Sequence, residues 1–389
     1  MSTDKAGDFL SSQAKSASGA LKTFFTTAEG LYDKKLWHEL TRLLLDQLLA
    51  LPEARPKLHA IYENFVSPWA QKMKPLSRVK IAIATAATLP SPTEARAFLA
   101  PIVESLKSSK DDVDAYILAN IEEAHYALLA KDLPACLATI TECEPKREAL
   151  NAPDPATNAN FYRVSADYYK ATADYPLYYH NALLYLSSVS DLSQIPLAIQ
   201  QERAGDLALS ALLGDGLYTF GHLLMHPILS TLKGTPNEYL VELLVAFNRG
   251  DMDTFNGIKS SKNFNGQPLL VAAQTFLQQK LCIMTLIQAV FSRNKDARGH
   301  ILFADISREC RVALDEVEHL VMKAFSLKVL RGRIDQIDQV VHVEWVQPRV
   351  LDTSQIASLK DMLDEWVGKV HAQVSQLKDL EGAQEVFVQ

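Results

Sequence analysis

The sequence predicts a mainly α fold: a right-handed α-solenoid of helical hairpins, followed by a winged-helix module and a long C-terminal helix. Apolar residues recur at helical spacing across most of the 389 residues. The hydrophobic period becomes strictly alternating only near residues 330–345, where a pair of strands is expected. The length suggests two or three domains, and 48% hydrophobic and 22% charged residues are typical of a globular protein.

Net charge, cysteine use and hydropathy limit the classes of function. The net charge of −7 argues against general binding of polyanions, because affinity for phosphates comes from clustered Lys and Arg. The four cysteines contain no C-x-x-C pair and are too few for a disulfide scaffold, so we expect reduced thiols in a protein of the cytoplasm and nucleus. The most apolar run, Leu281–Phe291, is shorter than the about 20 residues that cross a membrane. The N-terminus lacks the apolar core of a signal peptide.

The first half of the chain is expected to be helical after a mobile beginning. Residues 1–30 are rich in Ser, Ala and Lys and predict a mobile lead-in. Residues 31–195 predict a helical-repeat domain, because apolar positions follow helical spacing from one proline break to the next. An early example of such an apolar face is formed by Leu36, Leu40, Leu43, Leu44 and Leu48.

Two breaks between predicted helices share one sequence pattern. Asp132 and Asp174 each stand two residues before a proline, Pro134 or Pro176. Aspartate can accept hydrogen bonds from the free N–H groups of a first helical turn, where proline is tolerated. The prolines are 42 residues apart, about one helical hairpin, which favours a solenoid of stacked hairpins. Two copies do not establish a period, so a plain helical bundle is the alternative.

Residues 196–350 predict a second domain that ends in a winged helix at about 300–350. Helices joined by Gly-containing turns are expected up to Phe291. Asp315 is then expected to cap a helix with an apolar stripe, which follows a shorter helix. The apolar positions of that shorter helix are Leu302, Phe303, Ile306 and Cys310.

A β-hairpin follows these two helices in the sequence. Residues 330–335 and 341–345 alternate apolar and polar side chains, and residues 336–339 form the predicted turn between them. The order helix, turn, helix and hairpin predicts a winged helix.

Residues 351–389 hold the most regular pattern of the chain. One helix is expected from Thr353 to about Glu381, and it would be about 44 Å long at 1.5 Å per residue. Its heptad seam consists of Ile356, Leu359, Leu363, Trp366, Val370, Leu377 and Leu380, with Gln373 as the one polar exception. A narrow apolar seam of this kind needs partner helices.

No motif nominates a catalytic residue, a cofactor site or a metal site. Gly216 and Gly221 have the spacing of a phosphate-binding loop, but His222 stands where such a loop requires lysine. His222 and His226 are four residues apart without the glutamate of a zinc-protease helix, so we interpret them as packed or solvent-facing histidines near a helix end. We therefore expect a protein that is not an enzyme and holds no cofactor.

Nucleic-acid binding is the main rival hypothesis, because winged helices often enter the major groove. Residues 300–350 contain seven basic and eight acidic residues, and the second helix opens with Asp315, Glu316 and Glu318. Carboxylates at that end would repel phosphates. Arg331 and Arg333 are the best remaining basic feature, so the balance favours a protein-interaction module and leaves a nucleic-acid adaptor as the alternative.

Helical repeats that lead directly into a winged helix are the layout of a PCI domain, and short segments make the resemblance specific. They are YDKKLWHELT (Tyr32–Thr41), IYENFVS (Ile61–Ser67), QQERA (Gln200–Ala204), LLMHPIL (Leu223–Leu229), VMKAFS (Val321–Ser326) and WVQPRVLD (Trp345–Asp352). In their order and number, these segments resemble those of one type of PCI-domain subunit in the proteasome regulatory lid, the non-ATPase regulatory subunit 13 type. None of them lies within residues 1–30.

The resemblance implies a non-catalytic scaffold whose partners are other lid subunits. In such subunits the winged-helix sheets of neighbours pair edge to edge, and the C-terminal helices form a shared bundle. Edge pairing would place the wing strands at an interface, with Arg331, Arg333, His342 and Glu344 as its residues. Related PCI subunits occur in the signalosome and in a translation initiation factor, and these assemblies are alternatives. Neither nucleic acid nor a membrane is expected as a partner.

Overall fold

The computed structural model describes residues 5–16, 19–48, 51–107, 112–189, 191–293, 300–350 and 353–387. The fold is mainly α with one small sheet, as predicted. The chain divides into two compact units, Met1–Gln194 and Ile195–Gln389. This division lies one residue before the domain boundary expected from the sequence.

The first unit is built from helices and short helical turns. Its α-helices are α1 (Lys5–Ser16), α2 (Ala20–Asp33), α3 (Trp37–Leu43), α4 (Leu58–Ile61), α5 (Pro75–Ala86), α6 (Pro92–Lys107), α7 (Val113–Leu129), α8 (Leu133–Glu148), α9 (Pro155–Ala171) and α10 (Tyr175–Ser188). Other helical turns are π-helical at Leu44–Leu48 and Tyr62–Val66 and 3-10 at Pro52–Lys57, Ser67–Lys72 and Leu192–Gln194. Helix α7 lies at the centre and contacts α5, α6, α8 and α9.

The prediction of a mobile segment over residues 1–30 is wrong for the described part of that segment. Helices α1 and α2 pack on each other, and Leu10, Phe24 and Phe25 are buried in the core of the first unit. The four-residue spacing of Ala6 and Leu10, and the cluster around Phe24, form an apolar face. The segment also contains many Ser, Ala and Lys residues, so its average composition does not indicate this apolar face.

The two Asp-x-Pro breaks adopt the same turn, as predicted. An Oδ1 atom of Asp132 accepts a hydrogen bond from the Ala135 amide at 3.3 Å, and Asp174 accepts one from the Leu177 amide at 3.2 Å. The residues before the two aspartates, Lys131 and Ala173, both have left-handed backbones with φ of 64° and 58°. Each turn therefore ends one helix and caps the next in the same way.

The second unit carries the sheet and the longest helix. Its α-helices are α11 (Leu197–Leu213), α12 (Gly221–Met225), α13 (Glu238–Arg249), α14 (Met252–Lys259), α15 (Lys262–Asn265), α16 (Pro268–Ala272), α17 (Gln274–Ser292), α18 (Phe303–Cys310), α19 (Leu314–Ser326) and α20 (Thr353–Phe387). Its strands are β1 (Ile301–Leu302), β2 (Leu330–Asp335) and β3 (Val340–Val346), and a 3-10 turn spans Pro227–Leu232. Helices α18 and α19 and the sheet form the winged helix, which contacts α17.

The sheet has the strand order β1-β3-β2, and both pairings are antiparallel. The predicted hairpin is confirmed, with residues 336–339 as its turn. The prediction for Leu302 is wrong, because Leu302 belongs to β1 and pairs with Val340 instead of opening a helix. A two-residue strand is too short to show an alternating pattern.

The predicted cap of α19 is also corrected by the structure. The residue before α19 is Ala313, and Asp315 lies inside the first turn without a capping hydrogen bond from its side chain. The helix begins two residues earlier than the sequence suggests. A carboxylate in a first turn still interacts favourably with the positive end of the helix dipole.

Candidate interaction surfaces

Helix α20 presents the first candidate surface. It begins at Thr353 as predicted and continues to Phe387, so its 35 residues span about 52 Å. Every side chain described between residues 356 and 376 is exposed, on all sides of the helix. The exposed seam residues are Ile356, Leu359, Leu363, Trp366 and Val370. The side chains of Leu377 and Leu380, which complete the predicted seam, lie outside the described part of the structure.

The apolar surface of α20 is wider than the predicted seam. Met362, Val367 and Val374 are also exposed, at 51%, 45% and 43% of their accessible area. These positions flank the seam on both sides in the heptad and could have been found by extending the pattern beyond its two central positions. A seam with flanking apolar positions is typical of a helix in a bundle, whereas a two-stranded coiled coil needs only the central stripe.

The segment that leads into α20 is fixed to the body of the second unit. The guanidinium of Arg349 donates hydrogen bonds to Oε1 of Gln288 at 2.7 Å and to Oδ1 of Asn248 at 2.8 Å. Burial lowers the pKa of Arg349. Val350 packs so closely on Gly221 that a Cβ atom on this glycine would lie 2.3 Å from the Cβ atom of Val350. The base of α20 is therefore held by specific contacts.

The outer face of the wing sheet is the second candidate surface. Arg333 pairs with His342 across β2 and β3, and Arg331 pairs with Trp345. The Arg331 guanidinium lies 4.8 Å from the centre of the Trp345 ring, within the range of a cation–π interaction. The pairing therefore brings Arg331, Arg333 and His342 close together on β2 and β3, while Glu344 is exposed and has no register partner on β2 because of the bulge. It adds Trp345, which the polar pattern did not single out.

The four wing residues differ in their access to an edge of the sheet. Arg331 and Arg333 lie on β2, whose outer edge pairs with no other strand in the described residues. His342 and Glu344 lie on β3, the central strand, which β1 pairs with only at Val340 and Val341. Their side chains can contribute to an interface through the face of the sheet.

Ionic interactions occupy part of the basic surface near the wing. Both guanidinium NH groups of Arg311 donate to the Asp253 carboxylate, at 2.7 and 2.6 Å. This contact lowers the pKa of Asp253 and raises that of Arg311. Together with Arg331 on the Trp345 ring and the exposed Asp315 at the start of α19, it leaves a surface poorly suited to phosphates.

The described residues contain no group of three or more His, Cys, Asp or Glu side chains that could hold a metal ion. Burial raises the pKa of Cys136 and of Cys143 to about 11, so both remain thiols at neutral pH. His226 stands beside a helical turn, where its Nδ1 atom accepts a hydrogen bond from the Ile228 amide at 3.2 Å. Burial lowers the pKa of His226, which fits this acceptor role.

Within the described ranges, no helix has the length and apolar character needed to cross a membrane.

Comparison with known proteins shows which family this chain resembles. Residues 24–244 match the family model PSD13 N-terminal repeats, and residues 254–345 match the PCI domain. The chain is 36% identical to 26S proteasome non-ATPase regulatory subunit 13 homolog B of Arabidopsis thaliana, over 93% of this chain and 95% of the relative. It is 35% identical to 26S proteasome regulatory subunit RPN9 of Saccharomyces cerevisiae, over 93% of both.

A shorter similarity involves a different assembly. Eukaryotic translation initiation factor 3 subunit M of Drosophila simulans is 27% identical over 23% of this chain and 21% of its own length. The similarity to the proteasome proteins instead extends over nearly the whole chain. The chain therefore belongs to the family of 26S proteasome non-ATPase regulatory subunit 13 proteins.

Proposed function

We propose that this protein is a non-catalytic scaffold subunit of the proteasome regulatory lid and contributes in this way to ubiquitin-dependent protein degradation. The observation that carries the proposal is the exposed apolar surface of α20 in a chain of the subunit 13 family. An uncovered stripe of this length is costly in water unless other chains cover it. The proposal includes a location in the cytoplasm and nucleus, where proteasomes degrade proteins.

Helix α20 would supply most of the binding energy. Burying a single Leu, Ile or Val side chain contributes about 1.5–3 kcal/mol. The exposed seam and its flanking residues offer enough such side chains to offset the entropy lost on association, which costs about 4–15 kcal/mol. Because apolar positions lie on both sides of the seam, a bundle with several neighbouring helices is favoured over a single partner.

The wing would add a directional contact. The outer edge of β2 offers unpaired backbone groups to a strand of a neighbouring subunit. Arg331 and Arg333 lie on this edge strand, and Trp345 of β3 lies beside Arg331, so these side chains would select the neighbour through charge and ring contacts. In this arrangement the wing would fix the orientation of the neighbouring subunit, and α20 would supply most of the affinity.

The absence of catalysis is part of the proposal. It is supported by the names of the relatives, which are regulatory and non-ATPase subunits. The rival proposal of a nucleic-acid adaptor is weaker, because the basic side chains near the wing interact with Asp253 and Trp345. A role in another PCI assembly is weaker as well, because the similarity to the proteasome relatives is longer and closer.

The first prediction concerns incorporation into the proteasome. Leu363→Asp places a carboxylate in the middle of the seam, and its burial against apolar neighbours would be strongly unfavourable. We expect the tagged variant to lose at least about 90% of its co-sedimentation with proteasomes, a shift of roughly 1.4 kcal/mol or more. The measurement is quantitative sedimentation from cells that express the tagged full chain.

A matched control separates the seam from the helix as a whole. Ala372→Asp introduces the same charge nine residues away, which at 100° per residue is the opposite face of α20. This variant should incorporate like the wild-type chain. Full co-sedimentation of Leu363→Asp would contradict the proposal, as would equal losses for both variants.

A further inference from the structure

The first unit contains a groove that neither candidate surface includes. It lies where α3 begins and where the 3-10 turn Ser67–Lys72 leads into α5. Its cavity has a volume of about 660 Å³. Its lining includes three apolar side chains and three lysines: Leu36, Leu45, Met73, Lys35, Lys72 and Lys74.

The groove is basic although the whole chain is acidic. Arg42 and Glu39 also line it, and Arg42 forms an ion pair with Asp46 at 3.2 Å. In the part of the chain that the structure describes, no carboxylate forms a salt bridge with Lys35, Lys72 or Lys74. Uncompensated positive charge around an apolar cavity is complementary to a ligand that combines carboxylates with an apolar side chain.

The aromatic residue of the groove excludes one class of ligand. Trp37 stacks on Trp69 with the ring centres 5.4 Å apart, and Nζ of Lys72 lies 4.4 Å from the Trp37 ring centre. Tyr32 contacts the same ring edge to face. Because Trp69, Tyr32 and Lys72 already contact its ring, Trp37 is a poor platform for a nucleic-acid base, which single-strand binding proteins require.

We propose that this groove binds a short acidic peptide segment of a partner protein, with an apolar side chain of the peptide inserted between Leu36, Leu45 and Met73. The carboxylates of the peptide would contact Lys35, Lys72 and Lys74 around the cavity. Leu36 is 40% exposed and marks the entry to the apolar part. The surface is distinct from α20 and from the wing, so it would recruit a ligand in addition to the subunits that those surfaces bind.

The test uses the full chain and a fluorescein-labelled peptide of seven residues. The peptide has a central leucine–phenylalanine pair flanked by aspartates and glutamates, and binding is followed by fluorescence anisotropy at low salt. Two control peptides replace the acidic residues with lysine or the apolar pair with glycine and serine. We expect saturable binding of the first peptide only, weakening as salt rises.

Paired variants test the site. Lys35→Glu combined with Lys74→Glu changes two exposed side chains of the groove that make no ring contact, and should weaken binding at least about ten-fold. Lys22→Glu combined with Lys57→Glu makes the same change in net charge on exposed residues outside the groove and should alter affinity less than about two-fold. Leu36→Ser tests the apolar part and should also weaken binding, with circular dichroism to verify folding.

Several results would overturn the proposal. The first is that the acidic peptide does not bind at concentrations up to about 1 mM, because an affinity weaker than this would not be specific recognition. The second is equal binding of the peptide that lacks the apolar pair. The third is tighter binding of a single-stranded RNA that the groove variant abolishes. Because α20 is unchanged in these variants, each of these outcomes is distinguishable from failure of proteasome incorporation.

Discussion

Lys280 is the one charged side chain of helix α17, and it is buried. It is 2% exposed, and its Nζ atom donates to the carbonyl oxygens of Ala211, Leu212 and Gly214 at 2.6–3.1 Å. These carbonyls lie at the end of α11, where a helix has no further N–H groups to offer. The lysine therefore replaces the missing donors. Aromatic rings surround the same atom, with centres 5.4–5.7 Å away, on Tyr218, Phe220 and Phe276.

The sequence could not have predicted this contact. Lys280 stands in an apolar helical run, and the pattern shows only that a lysine interrupts it. The carbonyls that it binds are 66–69 residues away in the chain. Contacts over such distances depend on how helices pack, which local periodicity does not specify.

The second prediction is a rise of stability with pH that depends on Lys280. Burial lowers the pKa of Lys280 to about 7, from 10.5 in the unfolded chain. Between these values the unfolded chain holds a proton that the folded chain has released, so the free energy of unfolding rises with pH. The contribution of Lys280 to this slope, taken as the difference between the wild type and Lys280→Met, should approach about 1.4 kcal/mol per pH unit between pH 7 and 10. The buried thiols, whose raised pKa values act in the opposite direction near the upper end of this range, are present in both proteins and cancel in the difference. Urea denaturation followed by circular dichroism measures both slopes.

Variants isolate this effect from other titrating groups. In Lys280→Met the extra slope should be absent, because methionine has no proton to release. Lys262→Met removes an exposed lysine of the same unit and should retain the wild-type slope. An unchanged slope in Lys280→Met would show that the amine does not titrate in this window.

At the scale of elements, the sequence predicts an element correctly when its pattern is complete within one segment. It does not predict an element that forms only by pairing with residues far away in the chain. The hairpin β2–β3 and helix α20 were predicted because an alternating strand and a heptad repeat are complete within their own segments. Strand β1 was missed because its two residues acquire a strand conformation only by pairing with Val340 and Val341. Strand β1 pairs with β3 at these two residues only, and the wing interface stays a prediction.

The irregularity of the hairpin leads to the third prediction. A bulge lies between Arg331 and Gly332, and a Cβ atom on Gly332 would lie 2.0 Å from the carbonyl oxygen of His342. Gly332→Ala should therefore lower the free energy of unfolding by about 1–3 kcal/mol, in the range typical of overpacking. Urea denaturation measures the change, and faster hydrogen exchange of the β2 amides would locate it.

Gly257→Ala is the matched control for this substitution. Gly257 lies inside α14, and an added Cβ atom there meets nothing within 4 Å. Alanine is favoured over glycine in a helix by about 0.5–1 kcal/mol, so the control should be slightly stabilising. Equal effects of the two substitutions would contradict the steric explanation.

At the scale of the whole molecule, the sequence predicts the mainly α fold but underestimates the folded core at the N-terminal end. The N-terminal helices were missed because buried Leu10 and Phe25 are few among Ser, Ala and Lys residues. Their burial depends on packing partners such as Tyr62–Val66, which follow α1 by more than forty residues. The seam of α20, in contrast, could be predicted because a heptad repeat is complete within its own segment, and the side chains described between residues 356 and 376 are exposed.

The last prediction concerns the isolated chain, whose exposed α20 has no neighbouring subunit to cover it. Copies of the chain should associate reversibly through this helix, with a dissociation constant of about micromolar, because the burial of several apolar side chains exceeds the entropy cost of association by a modest surplus of about 8 kcal/mol. Sedimentation equilibrium over a range of concentrations should therefore show a rising average mass for the wild-type chain. Leu363→Asp should remain monomeric, while Ala372→Asp on the opposite face should behave like the wild type. A wild-type chain that stays monomeric at all concentrations would contradict self-association through α20.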